Sequence, residues 1–199
     1  MSQQALKAVE SIVSIVKRRL VERTGPLVVA IDGGSGAGKS MLAADAALYL
    51  GATVIQCDDF FRATITDEEW DTYTPEQKCL RCIDWQRMRT EVLSPLLAGH
   101  KAQYHPFSFS SGNGLASHFV TVEPSNCIIL DGIYSALPVL SDVVHLTILV
   151  NVIPELRRHR HNIREGSSDT EWHARWDAAE DYYFSELRPP STFDLIVEN

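Results

Sequence analysis

A chain of 199 residues, 45% hydrophobic and carrying a net charge of −8, has the size of one domain whose core needs no disulfide staples. The acidic balance excludes a protein that coats nucleic acid, because a sequence-independent grip on a phosphate backbone needs a basic surface. No apolar run approaches a membrane span, and the opening stretch, with Glu10 and Glu22, is amphipathic and lacks a secretory signal, so the cytoplasm is the expected compartment.

Leu6, Val9, Val13, Val16 and Leu20 recur at helical spacing, and Thr24-Gly25-Pro26 stops that helix, so residues 1–25 read as an N-terminal packing helix. An apolar strand from Leu27 then runs into Gly33-Gly34-Ser35-Gly36-Ala37-Gly38-Lys39-Ser40, the glycine-rich pattern of a phosphate-binding P-loop. Glycines let the backbone turn tightly enough to aim N–H groups at a triphosphate. Lys39 reaches the outer phosphates, and the Ser40 hydroxyl can ligate Mg²⁺. The helix from Ser40 to Leu50 adds the positive end of its dipole. ATP and Mg²⁺ are the implied ligands.

Further strands are expected at Thr53 to Cys57, Cys127 to Leu130, His145 to Val150 and Phe193 to Val197. Helical patterns cover Asp84 to Ala98, Pro154 to Glu165 and Thr170 to Leu187. Strands alternating with helices give an α/β fold, a parallel five-stranded sheet with helices on both faces. Between residues 99 and 123, short alternating pieces around Ser110-Ser111-Gly112-Asn113-Gly114 read as a small inserted hairpin or loop. Trp172, Trp176, Ala179 and Tyr183 make an apolar helical stripe that reads as core, with Glu180 beside it placed at the surface. Cys57 and Cys127, at strand ends, read as small buried residues. Cys79-x-x-Cys82 is half of a zinc pattern without a second half.

Ligands of an open parallel sheet gather at the carboxyl ends of its strands. After the second strand comes Asp58-Asp59-Phe60-Phe61-Arg62, and after the third Asp131-Gly132-Ile133-Tyr134. An acid ending a strand beside a P-loop suits Mg²⁺, a hard cation that takes carboxylate oxygens, so Asp131 is a metal candidate; its other reading is a helix N-cap. Asp58 and Asp59 leave their strand on opposite sides, so one of the two can face the phosphates. Residues 154–170 hold Arg157, Arg158, Arg160 and Arg164, four of the eighteen Lys and Arg residues. Helical spacing puts Arg157, Arg160 and Arg164 on one face.

With these segments in this order, the chain resembles the uridine kinase family of P-loop kinases, a group related to phosphoribulokinase, pantothenate kinase and nicotinamide riboside kinase. The resemblance implies that Asp58 is the base toward the acceptor hydroxyl and touches Mg²⁺, and that Asp131 stands where the family usually has Glu. It implies that Arg157, Arg160 and Arg164 belong to a lid, residues 154–170, closing over the transferring phosphate. On the acceptor side it points to Phe61 and Arg62, to Asp84 for ribose hydroxyls and to Phe107, in Phe107-Ser108-Phe109, for a base. Asp84 reads equally well as a helix N-cap. The histidine of the family's pyrimidine site is not matched, since Ser110, Ser111 and Gly112 stand there.

The implied activity is transfer of the ATP γ-phosphate to a hydroxyl of a nucleoside-like small molecule, with uridine or cytidine first. A kinase for a vitamin precursor or sugar phosphate, and a nucleotide-binding switch without an acceptor, are the alternatives. Neither nucleic acid nor a membrane is an expected partner; a homo-oligomer is left open.

Overall fold

The computed structural model describes residues 2–108, 114–166, 168 and 170–199. Helix α1 (Gln3–Val21) begins at Ser2, whose hydroxyl accepts the Ala5 N–H. Its buried face is Ala5, Ala8, Val9, Ile12 and Val16, whereas Leu6 is exposed. The stripe is therefore rotated from the expected one, because the small alanines let α1 approach helix α2 (Lys39–Leu50) closely.

Strand β1 (Leu27–Asp32) is buried at every position, as a central parallel strand must be. Strand β2 (Thr53–Gln56) ends one residue earlier than expected, because Cys57–Phe60 coil into a 3₁₀ turn. Asp58 and Asp59 therefore diverge as neighbours on a helical turn, and strand alternation is not what separates them.

Two short helices lie where no element was anticipated. Helix α3 (Asp67–Thr72) is capped by Thr66, and helix α4 (Pro75–Arg81) by Thr74 in a reciprocal box with Gln77. The helix expected at 84–98 is present as α5 (Trp85–Met88), a π turn (Arg89–Leu93) and α6 (Ser94–Leu97). The widened turn accommodates Pro95, which has no N–H to donate and whose ring crowds the preceding turn.

The inserted segment forms two antiparallel ladders. Strand β3 (Ala102–Tyr104) pairs with β6 (Val120–Val122), and β4 (Phe107–Ser108) with β5 (Gly114–Leu115). Phe109 and Ser110 to Asn113, around which the hairpin or loop is expected, lie outside the described residues. Strands β7 (Cys127–Asp131), β8 (Leu146–Asn151) and β9 (Leu195–Glu198) complete the main sheet, whose order β2-β7-β1-β8-β9 is parallel throughout. Helix α7 (Pro154–Glu165) has the expected bounds, and α8 (Thr170–Tyr182) continues through a π turn (Tyr183–Leu187).

One face of the sheet packs against α1 and α2. The other packs against α5, the insert and α8, with Trp176, Ala179 and Tyr183 of the expected stripe in the core. The parallel register sets Asp131 beside Ile31 and beside Gln56, so the carboxyl ends of β1, β2 and β7 deliver the P-loop and the acidic segments to one edge.

Candidate active site at the carboxyl edge of the sheet

The loop between β1 and α2 turns on Gly33, Gly36 and Gly38, all at positive φ, with Gly38 as the α2 N-cap at φ 87°. A side chain would also collide there: a Cβ on Gly36 would lie 2.2 Å from the Arg157 backbone oxygen, and one on Gly33 2.6 Å from that of Val150. The Lys39 ammonium donates to the Gly34 carbonyl at 3.1 Å, which holds it over the loop. Ala37 N–H donates to the Gly34 carbonyl, and Asn199 Nδ2 to the Ala37 carbonyl at 2.8 Å.

Three buried carboxylates surround this loop. Asp32, at the end of β1, accepts from Gly33 N–H (2.7 Å), Tyr134 N–H (3.1 Å), Ala136 N–H (2.9 Å) and the Tyr183 hydroxyl (2.6 Å). Burial raises its pKa, and those bonds, with Lys39, oppose the rise. The same bonds hold Tyr134 at φ 69°, the one non-glycine residue at positive φ among the described residues.

Asp131 is 2% exposed, and neither of its oxygens has a hydrogen-bond partner of good geometry among the described residues. Burial pushes its carboxyl pKa up; Lys39 opposes this, as do the nearby Ser40 hydroxyl and Gln56 side chain, while Asp58 adds to it. An orphaned buried carboxylate costs free energy unless something electropositive joins it. Its oxygens, with Ser40 and Asp58, fit an oxygen-loving divalent cation, and the N-cap reading does not apply, because Asp131 is the last residue of β7 and no helix follows it directly. No group of three His, Cys, Asp or Glu side chains is placed to hold a metal among the described residues. The four cysteines are buried and free, and Cys79 donates to the Ala179 carbonyl.

Asp58 and Asp59 differ in their partners. Asp58 is open to solvent at its own surface, yet enough protein surrounds it to raise its carboxyl pKa, opposed by Lys39 and Arg164. Asp59 instead accepts from the Tyr104 hydroxyl at 2.7 Å, and its carbonyl takes a bond from Arg87 at 2.6 Å. It ties the β2 end to the insert.

The three arginines of α7 take different directions. Arg157 bonds Glu180 at 2.7 Å, Arg160 reaches the Asn199 backbone oxygen at 3.4 Å, and Arg164 is exposed and acts on Asp58. On the acceptor side, Asp84 Oδ1 accepts the Arg87 N–H as the α5 cap and lies 3.8 Å from Arg62. Phe61 packs against Phe107 with ring centres 5.1 Å apart, and against Trp70 and Trp176.

Searched against known structures, the chain superposes on a possible uridine kinase from Bacillus stearothermophilus with a TM-score of 0.72, at 17% identity over 96% of this chain and 97% of that one. A candidate fructose transport system kinase from Silicibacter sp. TM1040 gives 0.69, at 21% identity over 94% and 98%. The YGR205w protein gives 0.63, at 15% identity over 99% and 94%. The fold is that of the P-loop kinases. The α/β architecture and the likeness to uridine kinase-like proteins, both read from motifs, hold at the level of fold. No family profile and no curated protein matches the sequence. No helix among the described residues is long and apolar enough to cross a membrane.

Within this P-loop kinase fold, Glu180 departs furthest from expectation. Placed at the surface by its helical pattern, it is buried and accepts both Arg157 and the Ser35 N–H, the latter at 3.0 Å. His161 is buried too: its Nδ1 lies 3.2 Å from Ser35 Oγ and 3.3 Å from Arg164 Nη2, and its ring stacks on Trp172. Because guanidinium only donates, Nδ1 is the acceptor in that contact. Asp32 went unread because its role is set by residues more than a hundred positions away.

Proposed function

We propose that this chain is an ATP-dependent kinase that transfers the γ-phosphate to a hydroxyl of a small, nucleoside-like acceptor. The observation that carries the reading is Asp131, a buried carboxylate with no hydrogen-bond partner of good geometry among the described residues, beside Ser40 and Lys39 at the foot of a P-loop. Such a site holds its unfavourable charge for a cation bound with a triphosphate. Mg²⁺, when bound, neutralises phosphate charge, and Ser40, Asp131 and Asp58 would hold it.

The loop amides and Lys39 grip the phosphates, and catalysis is mostly positioning and charge stabilisation. Arg164 brings a planar cation toward Asp58 and is the lid arginine best placed to meet charge that spreads during transfer. Asp58 orients the acceptor hydroxyl and takes its proton, a task that its raised pKa favours by bringing it closer to neutral pH. Phe61 and Phe107 offer an apolar wall to a flat ring, and Asp84 Oδ2, the oxygen not used in the cap, is available to hydroxyls.

A second reading, a kinase for another metabolite, draws support from the partial commitment of Asp84 to its cap and to Arg62, and from a structural neighbour described as a fructose transport system kinase. Initial rates with ATP and a panel of nucleosides, vitamins, sugars and sugar phosphates at equal concentration separate the two. Uridine, cytidine or another nucleoside should give the fastest phosphorylated product. Activity on a sugar or vitamin with none on any nucleoside would leave the kinase and remove the nucleoside.

A further inference from the structure

The buried carboxylates among the described residues are Asp32, Asp131 and Glu180, and all three stand at the P-loop. Asp32 is satisfied by four donors, and Asp131 suits a cation. Glu180 does neither: its Oε1 accepts the Ser35 N–H at 3.0 Å, and its Oε2 takes Arg157 Nη1 at 2.7 Å. The same Nη1 lies 3.4 Å from the Ser35 carbonyl, so Ser35, Glu180 and Arg157 close a ring that joins α8, the loop and α7.

The loop also meets the lid helix where Ser35 Oγ lies 3.2 Å from His161 Nδ1, and its glycines lie against Arg157 itself. A Cβ on Gly34 would stand 1.8 Å from Arg157 Nη1, and one on Gly36 would meet the Arg157 backbone. Next to the ring is a cavity of about 200 Å³ lined by Arg157, Arg158, His161, Trp172 and Asp177 among others, so the guanidinium has other places to go. A buried ion pair adds little net stability over apolar side chains of the same size; what it does supply is one geometry among several.

We propose that Glu180 is a positioning residue that holds Arg157 of the lid helix on the P-loop through Ser35. Its effect on phosphoryl transfer is exerted through Arg157, and that part rests on the kinase reading; the coupling of α7 to the loop does not.

Glu180→Gln keeps the size and an acceptor for Ser35 while removing the charge that fixes Arg157. Its kcat should fall by roughly tenfold to a hundredfold, the scale of a small misplacement near the reacting atoms, with the ATP KM within about threefold of the starting protein. Arg157→Met should fall at least as far, and the double variant no further than Arg157→Met alone. Amide exchange of the nucleotide-free protein should rise at 33–40 and 154–165 in Glu180→Gln. If the two losses multiply in the double variant, or if exchange and kcat both stay unchanged, the proposal is wrong. Should the unaltered protein phosphorylate no acceptor, the kinase reading falls and exchange alone decides: a rise in those two segments upholds the coupling, and no rise rejects it. If Glu180→Gln does not fold, Arg157→Met carries the same exchange comparison.

Discussion

At the phosphate end of the proposed site, the groups are backbone amides, Lys39 and the buried carboxylates Asp32, Asp131 and Glu180, of which Asp32 and Glu180 are fixed by partners on several elements. Asp32 alone is held by the loop, by the turn after β7 and by the π turn that continues α8. At the acceptor end of the proposed site, Asp84, Arg62, Phe61 and Phe107 are half-buried side chains at the ends and joins of short elements, and the insert is tied back by Tyr104 to Asp59 after β2 and by the Glu123 carbonyl to Thr53 of β2. On the proposed reading, the first region serves one invariable ligand part, a polyphosphate, where any looseness costs rate. In the second, side chains can change without disturbing the sheet, so a single fold can serve several acceptors.

Damage at the phosphate end should therefore remove turnover whatever the acceptor. The largest effect is expected for Lys39→Ala, a loss on the order of a thousandfold in kcat/KM with an unchanged unfolding midpoint, since this lysine contributes to phosphate binding and hardly to the core. Equal turnover in the folded variant would end the comparison.

Asp58→Asn should cost roughly a hundredfold in kcat with little change in ATP affinity, and Asp59→Asn much less. A larger loss in Asp59→Asn would move the base to the residue tied to Tyr104. The pH profile carries the sign: only the ionised Asp58 accepts a proton, so the rate should fall as pH drops through its raised pKa, and Asp58→Asn should flatten that limb.

Changes at the acceptor end should act on one substrate at a time. Phe107→Ala should raise the acceptor KM about tenfold while leaving the ATP KM alone, through lost stacking area against a ring. Equal shifts in both KM values would merge the two regions into one.

How much of this was legible follows the same division. The P-loop, Asp58, Asp131 and α7 are readable because each is a local pattern or the residue next to a strand end. Glu180 and Asn199 are not, because a buried acid in α8 and an amide after β9 acquire meaning only when folding brings them onto Ser35 and Ala37, about 150 residues away. Helices α3 and α4 were missed although Thr66 and the Thr74-Pro75-x-Gln77 box announce them locally. The arginine face was real in spacing yet split in use, since Arg157 has Glu180, Arg160 has Asn199 and Arg164 has Glu165 and His161.

The smallest effect is thermodynamic. A carboxyl whose folded pKa lies above its unfolded one favours the fold while protonated, and that contribution is lost as pH rises through the folded value. Asp131→Asn should therefore stabilise the nucleotide-free protein at neutral pH, by about 1 kcal/mol, with the gain shrinking toward about pH 4. Denaturant unfolding at both pH values reads it; a loss of stability at neutral pH would mean that the Asp131 charge is satisfied within the protein itself.

Phosphoryl transfer to a hydroxyl is the central claim, and phosphorus NMR of ATP with the nucleoside panel tests it most directly. A new phosphomonoester signal should grow in step with ADP, scale with acceptor concentration and form roughly a hundredfold more slowly in Asp58→Asn. ADP accompanied only by inorganic phosphate, at a slow rate that no acceptor changes, would contradict it and leave a nucleotide-driven switch in its place.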